Sequence, residues 1–332
     1  MTLTHPFNRR TFLIAAAAAV PVLAAPGLLR AQASIETLAF YGPPAGPSVT
    51  LAHAVATNRF SDIASSATMT AWRSPDELRA GLTSGSILLS VVPVQAAANL
   101  YNRGFPIRLA NVMTNGLLYI ATNQNEINAI PDLSGRKVAV PFRGDTPEIL
   151  FGRVLAKHGI NTETDLEITY AGTPIEAMQL LLAGRVDAAL TAEPSTTAAV
   201  IQGKQAGKRI RRAIDLQAEW GTLTGAAPVL PQAGLAITGA FLAAHADAVP
   251  AILAALEAST IDVLADPAAA ATHATEALGM PAPLLAASIP HSNLVSRPAT
   301  EARADVDRML TTMTGADMAA INGRLPDNSF YL

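Results

Sequence analysis

One unit recurs along this chain and restricts its fold more than any other feature: a short β-type apolar run, a turn containing proline, then apolar residues at helical spacing. Residues 35–40 run into Tyr41-Gly42-Pro43-Pro44-Ala45-Gly46-Pro47-Ser48, after which Leu51, Val55 and Phe60 mark a helix. Residues 68–72 lead to Ser74-Pro75-Asp76-Glu77, and residues 88–92 to Pro93-Val94-Gln95. The unit returns in mid-chain. Residues 137–140 lead to Arg143-Gly144-Asp145-Thr146-Pro147, residues 166–170 to Thr173-Pro174-Ile175-Glu176, and residues 188–190 to Glu193-Pro194-Ser195. Such alternation specifies an α/β protein with mainly parallel sheets. The prolines mark helix starts, because a first helical residue has no partner for its N–H and proline's φ already suits a helix. Ser74 with Glu77 and Thr173 with Glu176 have capping-box spacing and read first as helix caps. Function enters through geometry: in open parallel sheets ligands bind beyond the carboxyl ends of the strands, where these loops lie.

Two β-type stretches read as crossings between lobes. Residues 112–123 carry Asn115-Gly116 in their middle, and residues 235–238 follow Pro231. The expected organisation is a first lobe of residues 34–116 and 237–332, a second, inserted lobe of residues 117–236, and a two-strand hinge. About 300 residues exceed the size at which one core stops growing, which favours two lobes. Further on, Asp266-Pro267 caps a helix, Pro281 starts another, and Val306, Leu310 and Met313 form an apolar stripe at helical spacing.

Residues 1–33 read as a cleavable export signal. Paired Arg9-Arg10 and Thr11-Phe12-Leu13 precede an apolar run over 12–25, too short for a bilayer span of roughly 20 residues, and Ala31-Gln32-Ala33 supplies the small residues for cleavage after Ala33. The paired arginines resemble a twin-arginine signal, with Asn8 where Ser or Thr is commoner, so the twin-arginine translocase is the expected export partner. Losing the signal's three arginines takes the net charge from −3 to −6, which excludes a nucleic-acid binder on electrostatic grounds. The absence of cysteine excludes disulfides, thiolate metal sites and a lipid-modified N-terminal cysteine. The mature chain is therefore expected free in the periplasm, monomeric, with no stable membrane insertion. The six histidines are scattered without metal-ligand spacing and no nucleophile-elbow, phosphate-loop or zinc-protease motif is present, so neither enzyme activity nor cofactor is expected.

YGPPAGPS, AWRSPDELRAGLTSG, VVPVQAAANLYNRG, IPDLSGRKVAVPFRGDTPEILF, LLLAGRVDAALTAEPS and the terminal LPDNSFYL occur in an order that resembles the periplasmic solute-binding proteins of nitrate, sulfonate and taurine ABC transporters. The resemblance implies a type II periplasmic-binding-protein fold that closes on a small-molecule solute and delivers it to an ABC permease with a cytoplasmic ATPase. Relatives with this fold that make the thiamine pyrimidine carry histidine and cysteine clusters, and the lack of cysteine argues against that activity. By their places in the loops, Tyr41, Trp72, Gln95, Arg143, Gly144, Asp145, Thr146 and Glu193 are candidates to face the cleft, with Asn115 near the hinge. Arg143 beside the start of a helix would favour an anion. Its alternative is an internal pair with Asp145 or Glu193, which would suit a neutral heterocycle or an amine instead.

Overall fold

The repeated units build two sheets. Residue 2 and residues 35–315 and 318–332 are described in the computed structural model, so the export signal lies outside the described residues. The first sheet begins with β1 (Ile35–Gly42), α1 (Gly46–Ala56), β2 (Ala64–Ala71), α2 (Pro75–Ser84), β3 (Leu89–Pro93) and α3 (Val94–Asn102), then adds β4 (Ile107–Leu109) and β5 (Asn111–Thr114). The second runs from β6 (Leu118–Thr122) through β7 (Lys137–Pro141), α4 (Thr146–Lys157), β8 (Glu167–Ala171), α5 (Pro174–Leu182), β9 (Ala188–Ala192), α6 (Ser195–Gln205), β10 (Arg211–Asp215) and α7 (Leu216–Thr224). The chain returns to the first sheet with β11 (Ala233–Thr238). It ends in α8 (Gly239–His245), α9 (Val249–Ala265), α10 (Pro267–Leu278), α11 (Ala282–Ser288), β12 (Leu294–Pro298) and α12 (Ala299–Thr314), with short turns between and after.

The strand orders are β12-β5-β11-β3-β1-β2, with β4 also on β11, and β10-β6-β9-β7-β8. The α/β architecture is as expected, but the sheets are mixed rather than mainly parallel. β2-β1-β3 and β8-β7-β9 are parallel, whereas β11 runs antiparallel to β3 and β5, and β6 antiparallel to β9 and β10. Parallel neighbours need a crossover helix. β6 and β11 instead enter straight from a crossing segment, and so arrive from the opposite end of their sheets.

The helix starts follow the local chemistry. Pro75 and Pro174 are the first residues of α2 and α5, whereas Pro93 and Pro194 sit one residue earlier, as the caps of α3 and α6. Ser74 and Thr173 accept from the N–H of Glu77 and Glu176 at 3.2 and 3.1 Å. The glutamates close the reciprocal bond one residue further out than a capping box requires, on the N–H of Arg73 and Gly172. Glu148 does the same to Gly144 at the start of α4.

One face of the first sheet buries Leu38, Phe40, Leu89, Leu235 and Ile237 against Leu51 of α1 and Ile252 and Leu256 of α9. The run Gly239–Ala265 is long and apolar enough to cross a membrane, yet its inner face is committed to this packing. On the other side, Val92, Val94 and Val112 belong to a core that continues through Leu118, Val138 and Phe151 of the second sheet's layer to Val306, Leu310 and Met313. The apolar stripe of α12 thus joins the two sheets, each large side chain contributing about 1.5–3 kcal/mol by its burial. Met313 also accepts from Arg153 Nε of α4 at 2.8 Å.

The crossings are short and bonded to one another. Leu230 N–H donates to the Asn115 carbonyl at 3.1 Å, and Leu117 N–H to Gln232 Oε1 at 3.3 Å. Gly116, at φ 114°, sits between them, and its carbonyl accepts from Asn293 Nδ2 at 2.8 Å.

Candidate ligand-binding site

The loops that leave β1, β2, β3, β7, β8 and β9 converge on one cavity of about 430 Å³. Its walls come from both sheets: Pro43, Trp72, Arg79, Gln95 and Arg103 on one side, and Phe142, Asp145, Thr146, Ile175 and Glu193 on the other. Leu117, Leu118 and Gln232 of the crossing region line it as well. The size lies in the range of pockets that enclose small organic molecules.

Of the residues singled out in the sequence, Trp72, Gln95, Gly144, Asp145, Thr146 and Glu193 line the cavity. Trp72 is buried and its indole N–H donates to Ser90 Oγ at 3.2 Å, which ties the ring to β3. Tyr41 is half-buried in β1, packed against the core rather than among the cavity residues. Asn115 is in the first crossing, its N–H bonded to the Asn293 carbonyl at 2.9 Å, and it does not line the cavity. Arg143 is placed differently from the expectation. Phe142 before it takes a left-handed backbone, φ 54°, and lines the cavity, while Arg143 is exposed with its guanidinium 4.6 Å from the centre of the Tyr170 ring. Neither Asp145 nor Glu193 pairs with it. A cation over a partly exposed aromatic face gains attraction without losing its hydration, which accounts for the placement.

Glu193 is fully buried and engaged by Arg212 of β10, whose Nε and Nη2 both reach Oε1, at 2.7 and 2.6 Å. Its Oε2 accepts from the N–H and hydroxyl of Thr197 at 3.1 and 2.6 Å. The Arg212 guanidinium lies 5.7 Å from the centre of Tyr119 in β6, whose hydroxyl donates to the His291 carbonyl at 2.9 Å. Burial, with Asp215 and Glu193 nearby, raises the Tyr119 pKa to about 12, so it remains a neutral donor. Asp145 occupies the cap position of α4 without capping it. Its carboxylate lies 3.8 Å from Arg79 of α2 across the cavity, and burial raises its pKa against the opposing pull of that arginine.

The electrostatic balance of the walls is basic. Glu193 is neutralised by Arg212, leaving Asp145 to face Arg73, Arg79 and Arg103. Among the described residues no carboxylate lies within ion-pair distance of Arg73 or Arg103; Arg79 is shared with Asp76 at 2.9 Å. α4 starts at the cavity without a side-chain cap, leaving the Thr146 and Glu148 N–H groups unclaimed by side chains; α1 lacks a side-chain cap as well, but Pro47 has no N–H and the Ser48 N–H donates to the Ala45 carbonyl at 3.0 Å. Two buried oxygens of cavity residues, Gln95 Oε1 and Thr146 Oγ1, have no hydrogen-bond partner. Among the described residues no group of three histidine or acidic side chains gathers as a metal site.

Sequence reasoning missed Phe142, Arg73, Arg79, Arg103 and Gln232. Arg73 lies in a loop already recognised as cleft-facing, and helical spacing from Pro75 would have put Leu78 and Arg79 on its inner side; Arg103, the cap at the far end of α3, carried no such signal.

No curated protein matches the sequence significantly. Solved structures do share the fold. A crystal structure of an ABC transporter from Parabacteroides distasonis superposes with TM-score 0.71 at 25% identity, covering 90% of this chain and 98% of that one. The periplasmic aliphatic sulphonate binding protein SsuA from Escherichia coli gives 0.67 at 19% identity, covering 88% and 98%. The periplasmic nitrate-binding protein NrtA from Synechocystis PCC 6803 gives 0.60 at 15%, covering 76% and 69%. The two-lobe α/β fold and the family resemblance implied by the order of the motifs are both borne out. The family model described as NMT1/THI5 like matches residues 83–270, which hold α3, the whole second sheet and β11; the chain belongs to that family.

Proposed function

We propose that the protein is the solute-binding component of an ABC importer, exported to the periplasm, which encloses a small organic or inorganic anion between its two lobes and presents it to the permease. One observation carries this reading: a single cavity takes its walls from the loops of both sheets, while short segments at 115–117 and 230–232 carry the chain between them. The inserted lobe, expected over residues 117–236, would end before β11, which joins the first sheet from Ala233, and the basic walls with the open start of α4 favour an anion. A binding role without turnover, a monomeric state, export by the twin-arginine route and release of residues 1–33 belong to the same reading.

A melting-shift screen of the mature protein tests it. A solute that binds only the folded state stabilises by about 2.7 kcal/mol at a hundredfold excess over its Kd. Stabilisation by an anion and not by a neutral pyrimidine is the expected outcome. A bound metal or measurable hydrolysis, with no stabilising solute, would defeat it.

A further inference from the structure

The cavity presents different polar chemistry from its two lobes, and the difference narrows the solute. Gln95, in the first turn of α3, is buried, and its Nε2 donates to the Ala320 carbonyl at 2.5 Å. Asn99 Nδ2 shares that carbonyl at 2.9 Å. The amide is thereby oriented, and the atom left over, Oε1, accepts hydrogen bonds and donates none. On the opposite wall, Thr146 begins α4 with its hydroxyl also buried and unpartnered. A hydroxyl there, beside first-turn N–H groups and one residue from Asp145, which Arg79 approaches to 3.8 Å, offers donors next to a positive charge. Between these ends the walls are Trp72, Leu78, Leu117, Phe142 and Ile175. A nitrate ion has four heavy atoms and no apolar body, so it would leave both the hydrophobic walls and one of the two polar ends unanswered.

Building on the solute-binding role, we infer that the solute is an organic acid with a bulky apolar body and a separate N–H or O–H group, its acid group held at Thr146 and Arg79 and its donor read by Gln95. An acid oxygen turned towards Gln95 Oε1 would meet a second acceptor, so the two ends of the solute cannot exchange places. Gln95 is then the residue that determines specificity, and Thr146 the residue that serves any acid.

Calorimetric titration of the mature protein with matched pairs tests this: 4-hydroxybenzoate against benzoate, and 4-aminobenzenesulfonate against benzenesulfonate, alongside nitrate and taurine. The donor-bearing member of at least one pair should bind about tenfold more tightly than its partner, the worth of one hydrogen bond to a buried acceptor. Gln95→Leu should reduce that ratio to near one. Gln95→Met, closer in shape, replaces it if the leucine variant melts early. Thr146→Val should weaken both members of a pair by the same factor. A ratio near one in the unmodified protein, or a ratio that survives both Gln95 variants, overturns the inference. Tight binding of nitrate or taurine with neither aryl acid overturns it while the importer role stands; binding of none of the anions overturns both.

Discussion

Glu193 and Arg212 show how much of the site depends on a single pair. Removing the cation leaves a fully buried carboxylate with only Thr197 to hold it, so Arg212→Ala should cost about 3–5 kcal/mol of stability, read by urea denaturation. Arg212→Leu combined with Glu193→Gln should recover most of that loss, because no unpaired charge remains. A double variant as unstable as the single one would show that the pair acts by packing instead. The sequence pointed to Glu193 through its place after a strand, but the arginine it offered as a partner, Arg143, is not the one that pairs with it. Arg143 leaves β7, the neighbour of β9, in a loop like that of Glu193; Arg212 reaches Glu193 because only β6 lies between β10 and β9. Antiparallel pairing across a third strand leaves no trace in local spacing, and neither does the choice of an arginine to lie on Tyr170.

At the level of elements, local chemistry was far more legible. The turn-and-proline pattern located every strand-to-helix loop around the cavity, and the serine and threonine caps of α2 and α5 formed as their spacing implied. What spacing could not reveal was strand direction, since β6 and β11 carry the same apolar patterns whichever way they enter a sheet. The Asn115-Gly116 step was recognisable, and its glycine has a specific cause: a Cβ there would lie 2.3 Å from Gln217 Cγ, at a φ of 114° that side chains rarely adopt. Gly116→Ala should therefore destabilise the protein by about 1–3 kcal/mol. Gly152→Ala, in mid-α4 with open space around it, should stabilise by about 0.4–1 kcal/mol. Melting of the two variants side by side checks the contrast, and equal effects would remove the conformational argument for the crossing.

For the molecule as a whole, Arg79 and Asp145 face each other across the cavity, and if the lobes move as proposed the pair would bias them towards one another. Arg79 is about half exposed, so the bias is under about 1 kcal/mol, a shift in the balance of open and closed forms of up to about fivefold. Arg79→Glu should raise the radius of gyration of the unliganded protein in X-ray scattering, and high salt should abolish the difference between variant and parent. An unchanged radius at low salt would mean that packing of α12 across the two sheets, rather than charge, sets their separation. The strand order has a consequence for how the molecule is made. β3 and β5 are synthesised early but are neighbours of β11, not of each other, and β11 follows only after every strand of the second sheet. A nascent chain emerging from the ribosome up to Thr224 can complete the second sheet while the first still lacks its central strand. The last hundred residues therefore complete the first sheet, and the pairing of β11 with β3 is a long-range contact of the kind that slows folding.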